Sequence, residues 1–346
     1  MKFVFIPGDG VGPEISTVLN DICQALENYT NIKFNIQTFE LGLQHYQDTG
    51  ILVPAGMLKE CRQAAAIWVG PLTEKTAAGV RFKADLLQHL LSQLDLTVFW
   101  RRIKPVSTEA RLVPDKIFDI LVLQDCLNYN EQCQELSLNL SPDERVSLNF
   151  ALTSHRQADK ILDYAQKLIA AGDRHKLTIA LPEQNLVKEN PWVNRYKRLL
   201  DLGEFPVTIM SIDRLAFKLL HQPDELDVVV TCPPFGEILS KIGAAIEGSY
   251  GLAYEAFLNP DGLKLYQILH PTSDRFVGKD AANPIGAILA LVDILRIVNR
   301  EPLGRIVEKA VLQSLTAGWS TRDMGGSMGT SEIGNFICNK ISELAQ

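Results

Sequence analysis

Residues 3–14 leave few backbones open to this chain. A short apolar run, Phe3 to Ile6, meets Pro7 and the turn Gly8-Asp9-Gly10-Val11-Gly12, and Pro13-Glu14 opens an amphipathic segment. A strand that folds sharply into a helix needs glycines, which tolerate tight turns and close backbone approach. Pro13 suits the first helical turn, where its missing N–H costs no hydrogen bond. The helix N-terminus behind the turn favours an anion, so the segment reads either as a phosphate cradle or as a structural turn. Its spacing is not the G-x-G-x-x-G fingerprint, because Pro13 falls where that motif needs a helix-packing glycine.

The remaining pattern alternates. Val4–Ile6, Ile32–Leu41, Ala66–Val69, Thr97–Trp100, Phe118–Leu123, Leu177–Leu181, Pro206–Ile212 and Asp227–Thr231 read as strands. Between them, Pro13–Leu26, Asp85–Leu94, Gln157–Ala171, Trp192–Leu202, Asp213–His221 and Glu237–Ile246 read as helices. This order predicts an α/β class with parallel strands. Asn128–Pro142 is polar and reads as a loop or arm. Ala281–Asn299 is long and apolar and predicts a buried helix, and the Gly/Ser/Thr-rich stretch Trp319–Ser331 a surface loop before a last helix, Ser331–Leu344. A length of 346 residues suits two lobes.

A net charge of −7 repels phosphate backbones, and Arg101-Arg102-Ile103-Lys104 is too short for a basic footprint, so nucleic acid is not an expected partner. No apolar run approaches the roughly 18 residues that span a bilayer, so no membrane partner is expected. The N-terminal run is broken too soon to read as a signal peptide. Cys23, Cys61, Cys126, Cys133, Cys232 and Cys338 lack metal-ligand spacing and read as free thiols in a reducing cytosol, which predicts a cytoplasmic protein.

The segment Gly8–Glu14 resembles the N-terminal motif of the isocitrate and isopropylmalate dehydrogenases, the metal-dependent β-decarboxylating family. Further segments match in the same order. They are Gly70-Pro71-Leu72-Thr73, Leu94-Asp95-Leu96 with Arg101, Asp213 with Leu215-Ala216, and Val230-Thr231 followed by Phe235–Ser240. Gly248–Leu252, His270, Gly278-Lys279, Ala282-Asn283-Pro284, Asp323–Gly326 and Thr330-Ser331-Glu332 complete the series. The match is closest in places to the isocitrate branch. It implies a two-lobed α/β fold that is not a Rossmann fold, with the active-site cleft between the lobes. By resemblance, residues 1–97 with 249–346 form the large, nucleotide-side domain. Residues 98–248 form the small domain, which carries the dimer contact and the substrate and metal side. The resemblance implies a homodimer whose site the partner completes, or a hetero-oligomer with an active homologue.

The family oxidises a 2-hydroxy acid with NAD or NADP and then decarboxylates the product. Arginine forks hold substrate carboxylates, a divalent metal on oxygen ligands polarises the hydroxyl, and a lysine and a tyrosine move protons. On the cofactor side, the resemblance assigns Thr73, His270, Arg275, Gly278 and Asn283. Taken alone, Thr73 reads equally well as a loop threonine satisfied by its own backbone. Arg275 suits the 2′-phosphate of NADP more than the hydroxyls of NAD.

The chemical side departs from the pattern. Arg101 matches a substrate arginine, but the other two positions hold Leu91 and Gln124, with Arg102 as an extra neighbour. Phe82 stands at a substrate serine's position. Glu183 stands where the catalytic lysine belongs, with Lys188 the nearest lysine, and the tyrosine's place is Glu131, with Tyr129 two residues away. Of the metal ligands, Asp213 matches, Glu237 lengthens an aspartate, and Lys241 replaces the last one. An ammonium cannot ligate Mg²⁺ or Mn²⁺, so Lys241 is expected either to stand in for the cation beside the carboxylates or to form an i,i+4 surface pair with Glu237.

Three functions fit this pattern: NAD(P)-linked oxidation of a small 2-hydroxy acid with a non-standard substrate and an altered metal site, a catalytically silent nucleotide-binding or regulatory homologue, or a metal-independent enzyme with changed chemistry. The expected ligand is a small carboxylate or a nucleotide.

Overall fold

The structure is a computed structural model that describes residues 1–106, 112–113, 116–126, 134–141, 144–150, 155–172, 174–259, 262–272 and 275–345. The turn does as its sequence predicts. Strand β1 (Lys2–Ile6) ends at Pro7, and helix α1 (Gly12–Tyr29) starts with Pro13 and Glu14 in its first turn. Ile15, Val18, Leu19, Ile22 and Leu26 recur at helical spacing along α1, and all are buried.

The edge strand β2 (Asn35–Thr38), helices α2 (Leu43–Thr49) and α3 (Met57–Gln63), and strand β3 (Ala66–Val69) follow. A small hairpin, β4 (Thr76–Ala77) and β5 (Val80–Arg81), precedes α4 (Phe82–Gln93) and the long strands β6 (Val98–Ile103) and β7 (Ile120–Asp125). Next come β8 (Gln134–Ser141), β9 (Glu144–Phe150), α5 (His155–Ala170), β10 (Leu177–Leu181), α6 (Pro191–Leu202), β11 (Val207–Ser211), α7 (Ile212–His221), β12 (Val228–Thr231) and α8 (Phe235–Glu247). The chain closes with β13 (Tyr254–Leu258), β14 (Lys264–Ile268), α9 (Ile285–Ile297), α10 (Glu301–Thr316) and α11 (Thr330–Leu344).

Ten strands form one sheet in the order β11-β10-β12-β7-β6-β13-β14-β3-β1-β2. The expectation of parallel strands holds only towards both ends. In the middle, β6 runs antiparallel to β7 and to β13, and β13 antiparallel to β14. The βα alternation lapses there: β6 to β7 and β13 to β14 join with no helix among the described residues, and helix-free joins favour antiparallel pairs. The result is a mixed sheet, unbroken from one end to the other.

Three local expectations change. Asn128–Pro142 is not simply loop, because β8 lies within it and pairs antiparallel with β9 across a bulge. The alternation of Leu136, Leu138 and Leu140 with polar residues carries the strand period that the polar composition obscured. Ile32–Leu41 shortens to β2, which among the described residues pairs only with β1. The apolar helix begins at Ile285 rather than Ala281, since the residue before Pro284 is disfavoured in helix.

The largest core cluster lies between the sheet and α1, α9, α10 and α11. Leu19 and Ile22 meet Ile288, Leu291, Val307 and Ile337 there. Helix α9 is buried on nearly every side. A second cluster covers the other face through α3 and α4, and two more sandwich the far half of the sheet between α5–α6 and α7–α8. No helix among the described residues is long and apolar enough to cross a membrane.

Candidate functional site

The glycine turn is a clamp. Gly8 has φ +78°, and a Cβ there would stand 2.3 Å from the Pro71 carbonyl oxygen. Asp9 donates its N–H to Pro71 O at 2.7 Å, while its carboxylate accepts from Leu43 N (2.7 Å) and Thr73 N (2.9 Å). Two segments are thereby pinned to one side chain. Glu14 places a carboxylate at the start of α1, accepting from Ala282 N at 3.2 Å and from the Thr330 hydroxyl. With that acid already at the helix N-terminus, the cradle reading gives way to the structural one.

Among the cofactor residues of the sequence reading, Thr73, His270 and Asn283 are each held by hydrogen bonds to backbone. Thr73 is buried, and its Oγ1 accepts from Lys75 N at 3.3 Å, the local turn of the simpler reading. His270 lies 3.0 Å from Pro271 O through Nδ1, and its Nε2 accepts from Asn283 N at 3.2 Å. With both ring nitrogens facing backbone, the ring face is what His270 presents to a ligand. Asn283 is fully buried, with Oδ1 accepting from Ile285 N (3.0 Å) at the start of α9 and Nδ2 donating to Asp323 (2.9 Å). It shapes the loop rather than presenting its amide. Gly278 turns at φ +67°.

Arg275 is exposed on the rim of a cavity of about 510 Å³ that Lys279 and Arg322 also line. None of the three cations has an ion-pair partner among the described residues. The nearby acids are occupied: Asp280 accepts from Ser331 N and Oγ, and Glu332 from Gly329 N, both at the N-terminus of α11. Arg322 escaped the sequence reading because it stands far from the adenosine loop in the chain, and only the packing of α11 brings it there.

Elsewhere, α8 lies on β6 and β7. Here the positions assigned to substrate and metal are satisfied from within. Gln124, in place of a substrate arginine, is buried and accepts from Gly236 N at 2.7 Å, while its amide lies 3.5 Å from Glu237. Lys241 turns its ammonium to Glu255 on β13 at 2.5 Å, and Glu255 is only 5% exposed. The carboxylate that faces this cation belongs to an acid the sequence reading missed. Arg101, 1% exposed, pairs with Glu247 at the end of α8, itself 4% exposed, and donates to the Arg102 carbonyl. Glu247 also accepts from Lys104 N at 2.9 Å. Burial pushes the Glu247 carboxyl up from its ordinary range, against the pull of Arg101. The only sequence signal for the two acids is a charge set in an apolar run, Tyr254-Glu255-Ala256 and Ile246-Glu247.

Arg102 faces elsewhere. It binds Asp119 through two nitrogens, at 2.9 and 2.5 Å. Burial alone would raise the Asp119 carboxyl, but Arg102 and Arg174 hold it down at about 2.

The other chemical positions stay apart. Asp213 is exposed in the first turn of α7, and Glu183 is exposed in a short 3₁₀ turn after β10. Lys188 is exposed as well, and Leu91 and Phe82 are buried core residues. Tyr129 and Glu131 lie outside the described residues. Among those described, no group of three His, Cys, Asp or Glu side chains could hold a metal ion. The ammonium of Lys241 cannot itself ligate a divalent cation.

The sequence pattern of the isocitrate/isopropylmalate dehydrogenases matches residues 2–337. A 3-isopropylmalate dehydrogenase of Staphylococcus aureus (strain NCTC 8325 / PS 47) is 28% identical, covering 99% of each chain. A probable tartrate dehydrogenase/decarboxylase of Bacillus subtilis (strain 168) is 25% identical over 98% of this chain and 97% of its own. Among solved structures, the isocitrate dehydrogenase of Methylococcus capsulatus superposes with a TM-score of 0.84 at 21% identity, covering 99% of each chain. A β-decarboxylating dehydrogenase of Thermococcus kodakarensis gives 0.79 at 23%, covering 99% of this chain and 96% of that one. The order of the matched segments, the mixed ten-stranded sheet and the match along nearly the whole length agree: this chain belongs to the isocitrate/isopropylmalate dehydrogenase family of oxidoreductases.

Proposed function

We propose that this member of the family binds a nicotinamide dinucleotide, NADP in preference to NAD, and does not run the metal-assisted oxidation and decarboxylation of isocitrate or isopropylmalate. The internal pairing of Arg101 with Glu247 and of Lys241 with Glu255 carries this reading. A di- or tricarboxylate needs free cations, and both candidates already hold a buried carboxylate. Gln124 and Glu183 supply neither a second arginine nor the lysine. Each missing electrostatic or proton-transfer group typically costs about 10²-fold in rate. Arg275, Lys279 and Arg322, with no ion-pair partner among the described residues, surround one cavity and support binding of a 2′-phosphate.

In this reading, residues 1–97 and 249–346 hold the nucleotide, and residues 98–248 reach a second copy or an active homologue. Phe217 and Leu220 on α7 and Ile238 on α8 are 65%, 44% and 50% exposed, an apolar face suited to such a partner. The free thiols suit a reducing, cytoplasmic setting. Thermal-shift measurements with NADP and NAD, and reduced-nicotinamide absorbance with a panel of 2-hydroxy acids, test it. NADP should raise Tm more than NAD, and isocitrate and isopropylmalate should give no turnover. Steady turnover of either acid would overturn the reading.

The second reading, oxidation of a less charged 2-hydroxy acid, is favoured by the carboxylates retained at Asp213 and Glu237. Turnover of a monocarboxylate in the same panel would select it.

A further inference from the structure

A second cavity, of about 520 Å³, opens at the far end of β6, where no residue assigned to nucleotide or metal lies. Two helices build it. Leu289, Val292, Asp293 and Arg296 line it from α9 at the i, i+3, i+4, i+7 spacing of a single helix face. Arg305, Lys309 and Leu312 line it from α10 at i, i+4 and i+7, with Glu308 beside them. The opposite wall is the end of β6 with Lys104, Pro105 and Val106, together with Glu247, Leu252 and Tyr254. Leu289 is left half-buried on a helix whose neighbouring residues are buried, because this cavity stands over it.

Six cationic and three acidic side chains line the cavity of a chain whose net charge is −7. The inner cations are neutralised. Arg101 pairs with Glu247, Arg102 with Asp119, and Arg296 with Asp293, Glu301 and Glu308. The rim is not. Lys309 is exposed and has no ion-pair partner among the described residues, and Arg305 reaches Glu301 only at 3.8 Å while 68% exposed. Lys104, across the opening, shares Glu308 with Arg296 at 3.5 Å. The floor is apolar: Leu252, Leu289, Val292 and Leu312, with Val106 at the side.

We infer that this cavity binds a small organic phosphate, a phosphomonoester whose apolar body lies on the α9–α10 floor and whose head meets Lys104, Arg305 and Lys309. A dianion with three acceptor oxygens matches several cations around one opening, as a monocarboxylate does not. A volume of this size and an apolar lining with a few convergent polar groups suit a small ligand.

Calorimetric titration of the full chain with phenyl phosphate, inorganic phosphate and benzoate tests the assignment. Phenyl phosphate should bind about tenfold or more tightly than either of the others, because only it has both head and body. The double variant Arg305→Glu/Lys309→Glu changes two exposed side chains and should keep the far-UV spectrum and Tm while losing about tenfold or more in affinity. Arg275→Ala, in the nucleotide cavity, should retain full affinity, and saturating NADP should not compete. No binding, equal binding of the three anions, or loss with Arg275→Ala in place of the α10 variant would overturn it.

Discussion

Around the first turn of the molecule, polar side chains hold backbone. On the α8 side, charged side chains hold each other. Asp9, Glu14, Asp280 and Asn283 spend their oxygens on main-chain N–H groups and tie the first turn to loops 70–73 and 280–283 and to α11. Such bonds depend on chain geometry and survive any change of ligand. Arg101, Lys241, Glu247 and Glu255 depend instead on one another's charge. Where a family site uses its ligand's charge as a counterion, losing that ligand leaves buried charge, and a carboxylate from within restores neutrality.

The sharpest way to break this contrast is at the buried pair. Arg101→Leu strands Glu247 without a cation and should cost about 3–5 kcal/mol in urea unfolding, whereas Arg101→Leu/Glu247→Leu should recover most of it. A single variant within about 1 kcal/mol of the parent would mean that the pair does not hold the α8 side together. The framework should fail differently. Gly8→Ala forces a β-carbon against the Pro71 carbonyl in a left-handed backbone and should cost about 2–3 kcal/mol, lowering NADP affinity along with Tm.

Smaller effects sharpen the picture. The Asp119 carboxyl is held at about 2, below its unfolded value, so its contribution is present above the unfolded pKa and is lost as pH falls from about 4 towards 2. Because Asp119 is one-third exposed, the loss should be about 1–2 kcal/mol, and Asp119→Asn should flatten the acid limb of the stability profile by that amount. A limb unchanged in the variant would remove Asp119 from the account. The smallest effect is expected at Arg275. Arg275→Ala should weaken NADP about tenfold and leave NAD nearly unchanged, since Lys279 and Arg322 remain.

Much of the framework was legible in the chain. Gly8, Pro13 and Gly278 announce backbone geometry directly, and the apolar period of α1 announces its buried face. Arg101 was legible as a match to a pattern and Lys241 as a departure from one, but their partners were not. Lys241 lies fourteen residues from Glu255, and Arg101 lies 146 from Glu247, so both pairs form only through the β6–β13–α8 packing. The antiparallel centre of the sheet was hidden for a related reason. Strand periodicity says which face is buried but nothing of direction, and the join between β6 and β7 carries no helical pattern to suggest one.

The strand order also has a consequence for synthesis. Strand β3 pairs with β14, and the apolar face of α1 is covered by α11 and α9. At roughly 5–20 residues per second, the ribosome exposes Ile15, Leu19 and Ile22 for about 15–50 s before their partners near residue 290 emerge. During that interval the first helix has no native surface to rest on. A nascent chain halted short of residue 285 should therefore engage holding chaperones, and release of the completed chain should end that engagement.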